Sequence, residues 1–129
     1  IDLATLTGSC IVALGYRTAG LFGNDLGLLS KIKESALRTD EAVCELPITD
    51  ADEKAMKGRI TDLQNMAAGH VYAGPSRGAA FLKNFVNGSK WAHLDIAGTA
   101  YTKDPKEYEV ASATGFGVRL LVDFLSSRA

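Results

Sequence analysis

Short apolar runs alternate along this chain with segments whose apolar residues recur every three or four positions. The runs have the length and the alternation of buried strands, and they occupy residues 1–7, 19–22, 60–63 and 91–97. The periodic segments are predicted helices, and they occupy residues 9–14, 24–38, 49–57, 75–86 and 114–125. This order of elements predicts an α/β fold in which helices pack on a mixed β-sheet.

Residues at the predicted helix starts are of the kinds that begin helices. Asn24, Thr49-Asp50 and Thr114 carry side-chain oxygens that can accept hydrogen bonds from first-turn amides. Pro75 suits a first turn because its missing N–H has no partner there. Residues 65–78 are rich in Gly, Ala and Pro and predict a long loop, a kind of segment that often carries function.

Composition fits one globular domain and excludes several classes of function. The 129 residues include 47% apolar residues and 22% charged residues, with a net charge of −1. That apolar share is enough for a core, whereas the balanced charge gives no field that would attract nucleic acid. No apolar run approaches the roughly 18 residues that a membrane-spanning helix needs. We therefore expect neither nucleic acid nor a membrane as a partner.

The two cysteines, Cys10 and Cys44, predict reduced thiols of a cytoplasmic protein. They cannot form a disulfide framework, and no Cys or His spacing resembles a zinc site. Cys10 follows Gly8 closely and stands near a predicted helix start, where amide dipoles favour a thiolate. No histidine lies near it in sequence, so a nucleophilic role is not favoured.

The loop after the first predicted strand is the most informative local feature. It consists of Thr5, Leu6, Thr7 and Gly8. Ligands of open α/β sheets bind beyond the carboxyl ends of strands, where helix N-termini present amides. Gly8 would let a ligand approach the backbone, and the threonines supply hydroxyl groups. The alternative is an ordinary turn between a strand and a helix.

Other motifs give weaker signals. Residues 115–117 lack the third glycine of a dinucleotide-binding loop, and neither a phosphate-binding loop nor a serine-hydrolase elbow occurs. His93 and Asp95 share one face of a predicted strand, which suits acid–base chemistry, metal ligation or a buried pair that satisfies backbone groups. His70 could line a site in the Gly-rich loop. Asp62 and Asp95 could pair as carboxylates, although nothing in the sequence brings them together.

Five stretches, taken in order, resemble the leucyl aminopeptidase family, the cytosol aminopeptidases that use two metal ions. They are residues 1–8 (IDLATLTG), 19–24 (AGLFGN), 78–83 (GAAFLK), 91–98 (WAHLDIAG) and 113–121 (ATGFGVRLL). Together they span essentially the whole chain. The resemblance implies an aminopeptidase-like catalytic domain, of which residues 1–129 would be the C-terminal portion.

The resemblance also implies a reaction, the release of leucine-like N-terminal residues from peptides. In the family two divalent ions, Mn or Zn, activate a water molecule and polarise the scissile carbonyl. Their ligands and the catalytic side chains belong to motifs such as Asn-Thr-Asp-Ala-Glu-Gly-Arg, which this sequence lacks. We therefore assign no catalytic and no metal-binding residue to this chain, and we expect the metal-binding half to be absent from it.

The part of the family site that this chain matches is the wall along the substrate. Residues 5–8 match the loop beside the bound peptide, in which main-chain groups of Leu6 and Gly8 would contact the amine end and the carbonyl. Ala97 and Ala100 match two positions that line the pocket for the first side chain. Two alanines leave room there, which predicts tolerance of larger apolar residues.

Two departures from the family pattern affect the Gly-rich loop. Residues 66–69 place a glycine later than is usual, and Arg77 stands where a small or hydroxyl residue is common. The family assembles as a hexamer, so a homo-oligomer and a peptide substrate are the expected partners.

Two functional hypotheses remain from the sequence. In the first, the chain, which opens on Ile1 in a strand-like run, is part of a cytosolic metalloaminopeptidase and is inactive alone. In the second, it is a non-catalytic assembly or regulatory piece. Ligand motifs encoded just ahead of Ile1 would favour the first hypothesis.

Overall fold

A computed structural model describes residues 1–66, 72–105 and 111–127. The strands in this part of the chain are β1 (Asp2–Ala4), β2 (Ala19–Gly23), β3 (Val43–Glu45), β4 (Ala92–Asp95), β5 (Tyr101–Thr102) and β6 (Ser112–Ala113). The helices are α1 (Gly8–Leu14), α2 (Leu26–Thr39), α3 (Asp50–Ala55), α4 (Gly74–Lys83) and α5 (Val118–Ser126). Strands and helices are interspersed along the chain, which confirms the predicted α/β class.

The main sheet is mixed and has the strand order β1-β4-β2-β3. Strands β1 and β4 are parallel, as are β2 and β3, whereas β2 and β4 are antiparallel. Strands β5 and β6 form a separate antiparallel pair. The expectation of helices on a mixed sheet is confirmed.

Side chains alternate between the two faces of the sheet and so divide the core in two. Leu21 and Leu94 pack with the buried faces of α2 and α5. Phe22 and Trp91, on the opposite face, pack with Ala79 of α4. The period of two along each strand sends successive residues to opposite faces, and each face is covered by its own helices.

Two of the three predicted N-caps differ from the structure. Asp25, not Asn24, caps α2 by accepting a hydrogen bond from the Leu28 amide at 2.8 Å. Asn24 instead accepts a hydrogen bond from the Trp91 amide at 2.7 Å, because the β4 backbone passes beside it. Thr49 caps α3 in a reciprocal capping box with Asp52, as predicted.

The N-cap of α5 is Gly117, at a φ of 93°, and not Thr114. The Thr114 hydroxyl donates to the Thr99 carbonyl at 2.6 Å and accepts from the Phe116 amide, so it closes a turn ahead of the helix. A side chain from another part of the chain serves α5 instead. Buried Glu41 accepts from the amides of Gly117 at 3.1 Å and Leu120 at 2.7 Å.

Two further elements differ from the prediction. Residues 60–62 form bends rather than a strand, and Leu63 pairs with Lys57 in an isolated bridge. The loop predicted at residues 65–78 extends too far, because α4 begins at Gly74 with Pro75 in its first turn, and residues 67–71 lie outside the described part of the chain. None of the described helices is long and apolar enough to span a bilayer.

Candidate functional site

Parallel pairing of β1 with β4 brings the two predicted parts of the site to one edge of the sheet. Ala4 lies opposite Asp95, and the Ile96 amide donates to the Ala4 carbonyl at 2.9 Å. The carboxyl ends of both strands therefore open on the same side, where ligands of α/β sheets bind. Residues 5–8 leave from one of these ends and residues 97–100 from the other.

The carboxylate of Asp95 fixes the shape of the loop at residues 5–8. It is fully buried and accepts hydrogen bonds from the amides of Leu6 at 3.1 Å and Thr7 at 3.1 Å. The Thr7 hydroxyl also donates to it at 2.7 Å, and the Ala97 amide at 3.2 Å. One carboxylate thus holds both parts of the predicted wall.

The Asp95 carboxylate does not bind every main-chain group of the loop. Thr7 is the N-cap of α1, and its hydroxyl oxygen accepts from the Cys10 amide at 3.2 Å. Among the described residues, none forms a hydrogen bond with the carbonyl of Leu6 or the amide of Gly8. These are the two groups that the resemblance assigns to peptide contact.

The surface of the loop is open. Thr5, Leu6 and Gly8 are exposed, and Leu6 keeps 37% of its accessible surface. A Cβ atom added at Gly8 would meet no other atom within 4 Å. Gly8 is therefore not required by internal packing, and its lack of a side chain leaves free space beside the backbone.

Ala97 and Ala100 lie on the turn after β4 and are both partly buried. The Ala100 amide donates to the Ile96 carbonyl at 2.9 Å. At Gly98 between them, a Cβ atom would collide with the Gly15 carbonyl, so the turn packs directly on the end of α1. The contact of Ala97 and Ala100 with a substrate stays a prediction.

A cavity of about 360 Å³ lies on the α4 side of the loop. Its lining comes from the loop, the start of α1, the end of α3, the described residues on either side of 67–71 and the first turns of α4: Leu6, Thr7, Ser9, Met56, Asn65, Met66, Tyr72, Gly74, Arg77 and Gly78. Neither Ala97 nor Ala100 belongs to this lining. The loop therefore borders a hollow, and the space that the two alanines are expected to line stays a prediction.

His93 does not pair with Asp95, although the two share a strand face. Its Nδ1 atom lies 2.5 Å from a carboxylate oxygen of Asp2, and the Trp91 indole N–H donates to the other oxygen at 2.5 Å. The His93 ring is fully buried and stacks between Phe22 and Trp91. Asp95 meanwhile satisfies backbone amides. The interpretation of both residues as buried groups agrees with these contacts.

Burial raises the pKa of the Cys10 thiol, and the nearby Asp95 carboxylate raises it further. Both effects oppose the helix-start effect that would favour a thiolate. Cys10 is a free, buried thiol, and Cys44 is also free. The expectation of two reduced cysteines agrees with this structure, whereas an activated thiolate at Cys10 does not.

The remaining candidates do not join the site. Asp62 lies in an exposed bend, whereas Asp95 is buried, so they form no carboxylate pair. His70 lies outside the described residues. Residues 67–69 of the Gly-rich segment that departs from the family pattern also lie outside them. Within residues 1–66, 72–105 and 111–127, no three His, Cys, Asp or Glu side chains cluster in a way that could hold a metal ion.

Sequence reasoning missed two structural features of this region. It gave Asp95 no role in shaping the loop, although an acid two residues before Ala97 on a parallel strand is well placed to bind the neighbouring loop. It also did not foresee that the start of α4 packs directly on the loop at Gly74 and Gly78. The helical spacing of Gly74 and Gly78 could have indicated that α4 packs closely on another segment.

Comparisons with known proteins show relatives over nearly the whole chain. Residues 1–122 match the sequence profile described as the cytosol aminopeptidase family, catalytic domain. A probable cytosol aminopeptidase of Geobacter sulfurreducens is 46% identical over 98% of this chain and 25% of its own length. One from Chlorobaculum parvum is 50% identical over 98% of the chain and 25% of its length.

A solved structure gives the same result at the level of the fold. The bottromycin maturation enzyme BotP, also solved in complex with Mn, matches with a TM-score of 0.91 and 35% identity. The match covers 98% of this chain and 28% of BotP. The resemblance inferred from the sequence is confirmed, and the chain spans about a quarter of the length of the curated relatives that it matches.

Proposed function

The chain belongs to the cytosol aminopeptidase family, and from this membership we propose that it supplies one wall of the substrate cleft of a metalloaminopeptidase. The reaction is the release of an N-terminal, leucine-like residue from a peptide. Thr5, Leu6, Thr7 and Gly8 form the wall, and Ala97 and Ala100 line the space for the first side chain. The chain acts in the cytosol as part of a homo-oligomer, a hexamer.

One observation supports this proposal above all. The Asp95 carboxylate binds some main-chain groups of the loop and not others. The carboxylate engages the amides of Leu6 and Thr7. It leaves the Leu6 carbonyl and the Gly8 amide without partners in the described part of the chain. A carbonyl and an amide spaced in this way can pair with the amine end and the carbonyl oxygen of an extended peptide.

The family implies two divalent ions, Mn or Zn, but the described residues do not fit them. No cluster of acidic, His or Cys side chains capable of binding a metal occurs among them. We therefore place the ligands in the portion of the relatives that this chain does not span. The 129 residues bind and orient the substrate, and alone they do not hydrolyse it.

A chimaera with the Geobacter sulfurreducens relative tests this role. The 129 residues replace the matched segment, which 46% identity over 127 residues makes feasible. We expect the chimaera to release leucine from a leucyl anilide with Mn added, and the isolated chain to release none. Turnover by the isolated chain that a chelator abolishes would contradict the assignment of the ligands.

Two valine variants of the chimaera test the wall itself. Gly8→Val should lower kcat/KM at least tenfold, because its methyl groups fill the open space beside the loop without touching the core. Gly27→Val is the matched control, since Gly27 is also exposed in a first helical turn but lies on the other side of the sheet. Equal activity of the two variants would refute the wall. A folded but inactive chimaera would favour the non-catalytic assembly or regulatory role.

A further inference from the structure

The turn between α4 and β4 carries two successive residues in the left-handed region of backbone conformation. Asn87 has a φ of 52° and Gly88 has a φ of 76°. Only glycine adopts such angles without a steric cost, and asparagine tolerates them better than most residues do. The shape of this turn therefore accounts for an Asn-Gly pair at this point of the chain.

The same pair is chemically labile, because asparagine can lose its side-chain nitrogen as ammonia. The main-chain nitrogen of the following residue attacks the side-chain carbonyl carbon, and a side chain on that residue hinders the attack. Gly88 has no side chain, and a Cβ atom placed on it would meet no other atom within 4 Å. The turn therefore has space for the cyclic imide that the attack produces.

Both reacting groups are accessible in the folded chain. Asn87 and Gly88 are exposed to solvent. Among the described residues, none forms a hydrogen bond with the Asn87 side chain or with the Gly88 amide. No contact of the fold therefore has to break before the Gly88 nitrogen reacts.

The other asparagines differ from Asn87 in at least one of these respects. The side chains of Asn24 and Asn84 donate to main-chain carbonyls, each at 2.8 Å. Asn65 is exposed, as Asn87 is, but the residue after it is Met66. Because Asn65 shares the exposure and lacks the following glycine, it serves as an internal control.

We propose that Asn87 is a site of spontaneous deamidation in the folded chain and that this modification weakens the attachment of the segment ahead of β4. The Gly88 nitrogen bonds to the side-chain carbonyl carbon of Asn87. The bond from that carbon to the amide nitrogen breaks, and this nitrogen leaves as ammonia with the proton of the Gly88 N–H. Water then opens the imide at either carbonyl and leaves an aspartate or an isoaspartate at this position.

An isoaspartate changes the turn in two ways. It adds a negative charge to a chain whose net charge is −1, and it lengthens the main chain by one carbon atom. The longer main chain shifts Ser89, whose carbonyl accepts from the Asn24 side chain at 2.8 Å. It also shifts Trp91, whose amide donates to the same side chain at 2.7 Å. Both contacts hold the chain just ahead of β4, so their loss destabilises the fold.

Prolonged incubation of the 129-residue chain at neutral pH, with and without urea, tests the reaction. Peptide mapping by mass spectrometry measures conversion at each asparagine, and an enzyme that methylates isoaspartyl carboxyl groups detects the isoaspartate. We expect Asn87 to convert about tenfold faster than Asn65, because only Asn87 precedes a residue without a side chain. Equal rates at the two positions, or conversion of Asn87 in urea alone, would overturn the proposal.

Two variants separate the modification from its consequence. Asn87→Gly keeps a residue that adopts a positive φ, and it should remove most of the acidic species that incubation produces. Asn87→Asp carries the added charge on a main chain of normal length. We therefore expect the isoaspartyl form, isolated by ion exchange, to unfold at a lower urea concentration than Asn87→Asp. Equal midpoints, or an undiminished acidic species in Asn87→Gly, would contradict the proposal.

Discussion

At the scale of single residues, Asp95 has the widest influence on the site. A buried carboxylate is costly unless it is fully hydrogen-bonded, and here three amides and one hydroxyl surround it. Its partners lie 88 and 89 positions away in Thr7 and Leu6 and two positions away in Ala97. The loop therefore has one defined shape as long as this side chain stays in place.

Asp95→Asn tests that dependence. The side-chain amide keeps the shape of the carboxylate but turns a donor toward groups that are themselves donors. We expect a loss of about 2–3 kcal/mol in the free energy of unfolding, measured in urea. Asp62→Asn, in an exposed bend, should change it by less than about 0.5 kcal/mol. Similar losses in both variants would show that Asp95 has no special structural role.

The sequence could predict that His93 and Asp95 share a face, because strand periodicity is local information. It could not predict that His93 would meet Asp2, since that contact joins residues 91 positions apart and depends on the order of the strands. For the same reason the raised pKa of Cys10 was not foreseen. A helix start is visible in the sequence, whereas the burial that opposes it is not.

At the scale of elements, α5 depends on a distant acid for its start. Glu41 follows the last turn of α2, where its amide donates to the Ala36 carbonyl at 3.1 Å. Its carboxylate then accepts from the Gly117 and Leu120 amides at the beginning of α5. One residue thus ends one helix and begins another, and negative charge is favoured at a helix N-terminus.

We predict that Glu41→Ala lowers the free energy of unfolding by about 2–3 kcal/mol, because two buried amides lose their partner. Glu45→Ala is the control, since Glu45 is an exposed acid whose contact with Lys33 lies at the surface. That change should cost less than about 1 kcal/mol. Chemical denaturation monitored by circular dichroism measures both, and a control that is equally destabilised would argue against the cap.

The errors in the predicted helix starts have the same physical origin. Asn24 and Asp25 are adjacent and both can cap, so the sequence alone could not choose between them. The Trp91 amide, just before β4, donates to the Asn24 side chain, so Asp25 is the residue that caps α2. Thr114 was a reasonable cap for α5, but Glu41 supplies that role from 76 positions away at Gly117. Thr49, whose partner is only three residues distant, was predicted correctly.

At the scale of the whole molecule, two adjoining surfaces have no covering in the described structure. Among the described residues, strand β1 pairs only with β4, so none of them covers its other edge. Helix α5 begins beside Leu3 of that strand, and it exposes an apolar stripe of Val118, Val122 and Leu125. Open strand edges and exposed apolar faces favour association with further polypeptide.

We expect the isolated chain to self-associate weakly, and its average mass in sedimentation equilibrium to rise with concentration. Val122→Lys should suppress this rise because a charge then lies in the centre of the stripe. Ile60→Lys is the control, since Ile60 is 90% exposed but lies away from α5. A constant monomer mass for the unmodified chain, or equal suppression by both variants, would contradict this expectation.

The pairing of β1 with β4 also has a consequence for synthesis of the chain. A ribosome produces residues 5–8 some 90 positions before the carboxylate that shapes them. During that interval the nascent loop has no anchor, and closing so long a chain segment is entropically unfavourable. The peptide-facing corner thus forms only after Asp95 has left the exit tunnel.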